Sequence, residues 1–91
     1  MKLVYLRGAT RDIESIRRYI GLDDPAAATR VVARIEQVID RLAYHPFIGR
    51  PGPKRIRLIS VPGLPYVVIY RVQGDEIKIA AVFHTSRNRR F

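Results

Sequence analysis

The feature that most constrains the fold is a pair of amphipathic helical patterns joined by almost no connection. The first pattern has apolar residues at i, i+4, i+7 and i+11, which places them on one side of a helix. These residues are Ala9, Ile13, Ile16 and Ile20. Thr10 is predicted to cap the start of this helix, and Gly21 is well placed to end it.

The second pattern begins at Asp24-Pro25 and continues to Leu42. Asp24 supplies a side-chain acceptor at the cap, and Pro25 suits the first helical position because its missing N–H has no partner there. A broad apolar face follows, formed by Ala28, Val31, Val32, Ile35, Val38, Ile39 and Leu42. Because only Leu22-Asp23 separates the two patterns, they are predicted to form an antiparallel helical hairpin.

Strand-like segments occupy the rest of the chain. A loop is predicted at His45–Pro53, which is rich in Pro and Gly, and a tight hairpin at Gln73-Gly74-Asp75-Glu76. The predicted strands are Lys2–Arg7, Arg55–Val61, Tyr66–Val72 and Ile77–His84. The order βααβββ predicts an α+β fold in which an antiparallel four-stranded sheet carries the helical hairpin on one face. Residues 1–91 are expected to form one domain, because two cores would need a longer chain.

The charge of the chain is strongly positive and unevenly distributed. The 17 Lys and Arg residues against 8 Asp and Glu residues give a net charge of +9, and 14 of the 17 are Arg. Residues 46–91 hold nine basic and two acidic side chains. This excess favours a polyanion or an acidic protein as partner, and guanidinium groups bind phosphate or carboxylate in a bidentate manner. An alternative explanation is a GC-rich genome, which encodes Arg in place of Lys.

Several classes of protein are excluded by composition. The absence of Cys excludes disulfides and thiolate metal sites, and two His residues make a poor metal cage, so no metal and no cofactor are expected. The apolar run near the start, Leu3-Val4-Tyr5-Leu6, is too short for a signal sequence or a membrane span. The expected location is therefore the cytoplasm, with no membrane partner.

Candidate functional residues lie on the predicted open face of the sheet. Strict alternation in the last strand directs Ile77, Ile79, Ala81 and Phe83 to the core, and Lys78, Ala80, Val82 and His84 to the other side. Arg57, Arg71, His84 and Arg87 are then predicted to converge, as acid–base cleavage of RNA would require. The alternative is a solvated strand edge with a basic tail.

A second basic surface lies along the predicted second helix. Its polar stripe holds Arg30, Arg34, Gln37 and Arg41. Such a stripe is either a solvated face or a surface on which a partner docks.

Residue patterns over nearly the whole chain resemble one known family. They are Asp12-Ile13-x-x-Ile16-x-x-Tyr19-Ile20, Pro25-x-x-Ala28, Leu42-x-x-x-Pro46-x-x-Gly49-Arg50, Arg57-Leu58, Tyr66-x-x-x-Tyr70-Arg71-Val72 and Ile77-x-Ile79-x-x-Val82-Phe83-His84-x-x-Arg87. In this order and spacing they resemble the ParE/RelE superfamily of toxins from type II toxin–antitoxin systems, and more closely its ParE branch. The resemblance implies a βααβββ toxin neutralised by a cognate acidic, ParD-like antitoxin, with which it would form a hetero-oligomer.

The resemblance implies two alternative targets. ParE-type toxins poison DNA gyrase and block replication, whereas RelE-type toxins cut mRNA on the ribosome. RelE-like nucleases place a Tyr or His close to the C-terminus, but this chain ends in Phe91, and its acidic Asp75 and Glu76 lie in the predicted turn. A gyrase poison without catalytic residues is therefore favoured. The alternatives are a ribosome-dependent endoribonuclease, with His84, Arg57, Arg71 and Arg87 catalytic, and a simple nucleic-acid-binding module.

Two sets of contact residues are predicted on this basis. The target is expected to contact Arg57, Arg71, His84, Arg87, Arg89 and Arg90. The antitoxin is expected to contact Arg30, Arg34, Arg41, Arg55, Arg57 and Arg71.

Overall fold

The computed structural model describes residues 1–86, which form two helices and a five-stranded mixed sheet. The helices are α1 (Arg7–Gly21) and α2 (Pro25–Leu42). The strands are β1 (Lys2–Tyr5), β2 (Arg50–Pro51), β3 (Arg57–Ser60), β4 (Tyr66–Gln73) and β5 (Glu76–His84). In the sheet the strands are ordered β1-β5-β4-β3-β2. The α+β class and the order of the main elements agree with the prediction from sequence.

The helical hairpin forms as predicted, with one difference at its start. The N–H of Ala27 donates to the Asp24 carboxylate at 3.0 Å, so Asp24 is the N-cap of α2. Thr10 does not cap α1, because Leu6 occupies the N-cap position and Thr10 lies inside the helix. The helix therefore begins at Arg7, three residues before the predicted cap and at the last residue of the predicted first strand.

The prediction of a fully antiparallel four-stranded sheet is wrong. β1 pairs in parallel with the last strand, β5, with Lys2 opposite Glu76 and Tyr5 opposite Ile79. The helical hairpin that follows β1 does not determine which strand pairs with β1. The observed partner, β5, lies more than 70 residues away in sequence. A fifth strand, the two-residue β2, pairs with β3 inside the segment that was predicted to be a loop.

The main core lies between the helices and one face of the sheet. Its largest fully buried side chains are Tyr70, Ile35, Ile39, Leu42, Ile77, Ile79, Val61 and Val68. The opposite face, which we call the open face, carries a second apolar cluster around Leu58, Val67 and Ile69. β4 supplies both clusters from alternate residues, which confirms the prediction that it is the central strand with both sides covered.

A β-bulge changes which residues of β5 face the helices. The register with β4 shifts between Ile69, which pairs with Ala81, and Tyr70, which pairs with Ile79, so Ala80 is an extra residue. Beyond the bulge Val82 joins the helix-side core, and Phe83 packs against the cluster on the open face. The alternation predicted from sequence is therefore reversed from Ala81 onward, and His84 lies on the helix side.

Neither helix of the described residues is long and apolar enough to cross a membrane.

The stability of the protein should fall in alkaline solution because of Tyr5. Burial, with further effects from Asp40 and Glu36, raises the pKa of Tyr5 from 10.0 to about 12. Tyr5 then holds its proton more tightly in the folded state than in the unfolded state. The stability that Tyr5 contributes is therefore fully present below pH 10 and is lost as pH rises towards 12. Urea titrations of the wild type and Tyr5→Phe between pH 8 and 11.5 should show a shallower alkaline loss in the variant. Equal slopes would contradict this.

Candidate functional site

The structure does not bring the predicted candidate residues together. Arg57 and Arg71 lie on opposite faces of the sheet, since Arg57 pairs with the core residue Tyr70 and Arg71 lines depressions on the open face. His84 pairs with Tyr66, four residues from Tyr70 along β4, which corresponds to about 13 Å. The predicted convergence is therefore wrong for these three residues, and the β5 bulge is part of the reason. Arg87, Arg89 and Arg90 lie outside the described residues.

His84 lies in a cleft between the end of β5 and α1. The cleft is lined by Asp12, Ser15, Ile16, Tyr19, Tyr66, Val82, Phe83 and His84. The His84 ring meets the Tyr66 ring edge to face at 5.4 Å, and its Nδ1 accepts the Ser86 N–H at 3.1 Å. The Asp12 carboxylate accepts the Val82 N–H at 2.9 Å. Among residues 1–86 no arginine lines this cleft, so the described neighbours of His84 there are Tyr66 and Ser86 rather than a cation.

Arg57 stabilises the loop that follows α2. Its guanidinium donates to the carbonyl oxygens of Gly49 at 2.7 Å and Phe47 at 3.2 Å, and lies 5.1 Å from the centre of the Phe47 ring. Hydrogen bonds from a charged donor are stronger than neutral ones. Any contact of Arg57 with a target or an antitoxin must compete with these bonds.

Tyr70 holds the same loop from inside the core. Its hydroxyl accepts the Gly49 N–H at 2.9 Å and donates to the Pro46 carbonyl at 2.9 Å. Burial raises the pKa of Tyr70, against the opposing effects of the Gly49 N–H and the Arg57 charge. No local pattern in the sequence indicates this role of Tyr70, because Pro46 and Gly49 are more than 20 residues away along the chain.

The open face gathers cations that have no acidic partner among residues 1–86. Arg71 stands directly opposite Lys78 across β4 and β5, and Lys54 shares a depression with Arg71 over the apolar Ile56 and Ile69. Like charges in direct cross-strand opposition destabilise a sheet. Among residues 1–86 the sole ion pair joins Arg17 and Glu14, so none of these cations is neutralised within the described chain.

The segment leading into β3 adds to this basic surface in a strained conformation. Lys54 and Arg55 have φ angles of 54° and 63°, in the left-handed region that non-glycine residues rarely adopt. Arg55 was predicted to begin a strand, but it lies in a turn ahead of β3. Left-handed backbone at non-glycine residues is concentrated at functional positions.

The arginines of α2 occupy a separate, exposed surface. Arg34 donates to the carbonyl of Pro62 in the turn between β3 and β4. Arg30 and Arg34 line a shallow groove with Ala27, Val31, Ala33 and Leu64. Arg41 is exposed in the last turn of the helix. The polar stripe predicted on α2 therefore combines solvated arginines with an apolar groove.

No three Asp, Glu or His side chains of residues 1–86 are grouped as metal ligands.

Comparison with known proteins identifies the family. The family model for the ParE toxin of the type II toxin–antitoxin system parDE matches residues 3–89. The chain belongs to the ParE toxin family. The match covers both helices and all five strands, so the ParE family assignment rests on the whole fold described above.

The individual relatives carry the names of toxins or of a toxin–antitoxin system. The Sinorhizobium fredii protein Y4kP is 44% identical over 84% of this chain and 79% of its own length. The toxin RelE2 of Caulobacter vibrioides is 36% identical over 94% of this chain and 97% of its own. A solved structure of a chromosomal ParDE toxin–antitoxin system from P. aeruginosa superposes with a TM-score of 0.83 at 25% identity, covering 92% of this chain and 95% of that one. The relatives thus bear both ParE and RelE names.

Proposed function

We propose that this ParE-family toxin inhibits DNA gyrase by binding and performs no chemistry of its own. The observation that carries the proposal is the separation of the groups that a nuclease would need. Arg57 on β3 and His84 on β5 are offset by about 13 Å along the strand direction and are separated by β4. Arg71 lies on the face of the sheet opposite to both. General acid–base catalysis requires its groups within hydrogen-bond reach of one substrate, which these positions do not provide.

Induction in cells, with separate measurements of DNA damage and mRNA integrity, tests the proposal. A gyrase poison should filament the cells and activate the DNA-damage response while global mRNA stays intact. Purified toxin should inhibit supercoiling by gyrase or accumulate cleaved DNA complexes. Prompt codon-dependent mRNA cuts that His84→Ala abolishes would instead establish a ribosome-dependent nuclease.

The basic tail is expected to contribute to target binding without contributing to the fold. Because residues 87–91 follow the last apolar residue of the predicted final strand in sequence, their removal is expected to change the free energy of unfolding by no more than about 0.5 kcal/mol. Removing Arg87, Arg89 and Arg90 should lower toxicity, because positive charge speeds association with a polyanionic gyrase–DNA complex. Growth assays and urea unfolding measure the two effects. A triple Arg→Lys variant, which keeps the charge, should retain most of the toxicity.

The proposed regulator is a cognate, ParD-like antitoxin that binds in a toxin–antitoxin hetero-oligomer. The open face favours an acidic, amphipathic antitoxin segment, because the cations Lys54, Arg71 and Lys78 adjoin an apolar cluster there. Arg55 directly follows Lys54 in the chain and is exposed. An anionic side chain between Arg71 and Lys78 would relieve their repulsion. Arg30 and Arg34 beside the groove on α2 provide a second predicted contact. Such a segment would fold on binding.

A further inference from the structure

One loop exposes more apolar surface than any other part of the described chain of similar length. Residues 44–48 follow α2, and they include Tyr44, which is 83% exposed, Phe47, 63% exposed, and Ile48, 48% exposed. We call this segment the apolar loop. A contiguous apolar patch is costly in water, and on soluble proteins such patches mark interaction sites. Aromatic residues also dominate the binding energy of protein interfaces.

The backbone of the apolar loop is fixed from both ends and from below. The His45 N–H donates to Arg41, the Ile48 N–H donates to His45, and the Tyr70 hydroxyl donates to Pro46. Arg57 donates to the carbonyl oxygens of Phe47 and Gly49. A loop held in one conformation loses little entropy when it binds, so its exposed side chains are organised before any partner arrives.

Charge specifies the kind of partner. Residues 41–74 contain no Asp or Glu, whereas they contain six cations: Arg41, Arg50, Lys54, Arg55, Arg57 and Arg71. Arg41 and Arg50 flank the apolar loop in sequence, both exposed, and Arg57 lies against the Phe47 ring. A partner that receives the loop must therefore offer an apolar pocket with carboxylates around its rim.

The same charges disfavour a second copy of this chain as the partner. A symmetric contact would place each apolar loop and its flanking cations against the identical surface of the other copy. The antitoxin contacts proposed above use the open face and the groove on α2, and neither of these surfaces includes a residue of the apolar loop. The apolar loop is thus left for a different partner.

We propose that the apolar loop is the surface by which the toxin docks on its target protein, inserting Tyr44, Phe47 and Ile48 into an apolar pocket with an acidic rim. This inference rests on the proposed function in so far as the toxin acts by binding a protein. In it Arg57 and Tyr70 are positioning residues, which act through the loop that they hold.

The double variant Tyr44→Ala/Phe47→Ala tests the inference, with Leu22→Ala as a matched control. Leu22 is 80% exposed in the connection between the helices, away from the apolar loop. Binding to purified gyrase should weaken at least about 30-fold in the double variant, the effect of losing one hot-spot residue, and should not change in the control. Growth inhibition in cells should be lost in the double variant and kept in the control. The double variant should keep the unfolding midpoint of the wild type and its affinity for the antitoxin.

The readouts separate this inference from the proposed function. Failure of the wild-type toxin to bind or inhibit gyrase would overturn the gyrase proposal. The docking inference would then be tested by growth inhibition alone, compared between the double variant and the wild type. A folded double variant that still inhibits growth like the wild type would overturn the docking inference. So would a loss of antitoxin affinity, or a change of oligomeric state in sedimentation, since the loop would then serve those contacts. Lost toxicity with both of these properties intact supports it.

Discussion

Gly49→Ala is expected to destabilise the protein by about 3 kcal/mol or more, although it adds a single methyl group. A Cβ at this position would lie 2.6 Å from the Tyr70 hydroxyl oxygen, 2.8 Å from Tyr70 Cε1 and 3.0 Å from the Leu58 carbonyl oxygen. Tyr70 is fully buried, and the Leu58 carbonyl belongs to β3, so neither atom can move away without disturbing the core or the sheet. The hydrogen bonds of the Tyr70 hydroxyl to Gly49 and Pro46 would be lost as well.

Urea unfolding of matched alanine variants measures this effect. Gly21→Ala is the control, because its new Cβ meets only Ala28 Cβ at 3.8 Å, at the end of a helix. That substitution should be neutral or stabilise by up to about 1 kcal/mol. In a Tyr70→Phe background the nearest clash disappears, so Gly49→Ala should cost less there than in the wild type. A Gly49→Ala protein within about 0.5 kcal/mol of the wild type would show that the loop relaxes freely.

The same contact connects stability with function. Because Tyr70 and Arg57 fix the apolar loop through Pro46, Phe47 and Gly49, a Gly49 substitution that still folds should also displace the exposed Tyr44 and Phe47 side chains. The packing of Gly49 against Tyr70 therefore links the core of this small domain to the conformation of the apolar loop.

Local patterns in the sequence were sufficient to predict the helical hairpin. The apolar spacing of α2 and the Asp24 cap involve residues only a few positions apart, so both can be read directly from the sequence. The central position of β4 was also predictable, since its residues are apolar on both faces. These features place the main core correctly without knowledge of any long-range contact.

Long-range pairing explains what the sequence could not predict. The parallel partner of β1 is chosen by contacts with β5, which no local pattern encodes. The bulge at Ala80 also has no signature in the sequence, because Ala80 and Ala81 fit either face of the sheet. The bulge places His84 on the helix side. Lys54 and Arg55 adopt left-handed backbone conformations, which a sequence usually indicates by a glycine, and neither position is a glycine. The bulge changes the surroundings of His84 and the left-handed turn changes those of Arg55, so the positions of these two candidate residues could not be predicted from local patterns.

Arg71→Glu is expected to weaken the complex with the antitoxin mainly by slowing association. On the open face this substitution removes a cation beside Lys78 and supplies Lys78 with an anionic partner of its own, which leaves less positive charge for an acidic segment to meet. Electrostatic steering raises association rate constants by about 10- to 1000-fold over those of uncharged surfaces. We therefore expect Arg71→Glu to lower the association rate constant at least about 10-fold at low salt. Dissociation, which apolar contacts with the cluster around Ile69 govern, should change less.

Arg11→Glu is the matched control for this prediction, because it makes the same change in net charge from an exposed position on α1. If the open face is the site of charge pairing, the association rate of Arg71→Glu should fall further than that of Arg11→Glu, and its dependence on salt should be shallower than that of the wild type. Stopped-flow or surface-binding kinetics between low and physiological ionic strength measure both quantities. Equal effects of the two substitutions would mean that net charge alone steers the antitoxin. An association rate of the wild type that is indifferent to salt would mean that apolar contacts, and not the cations of the open face, select the partner.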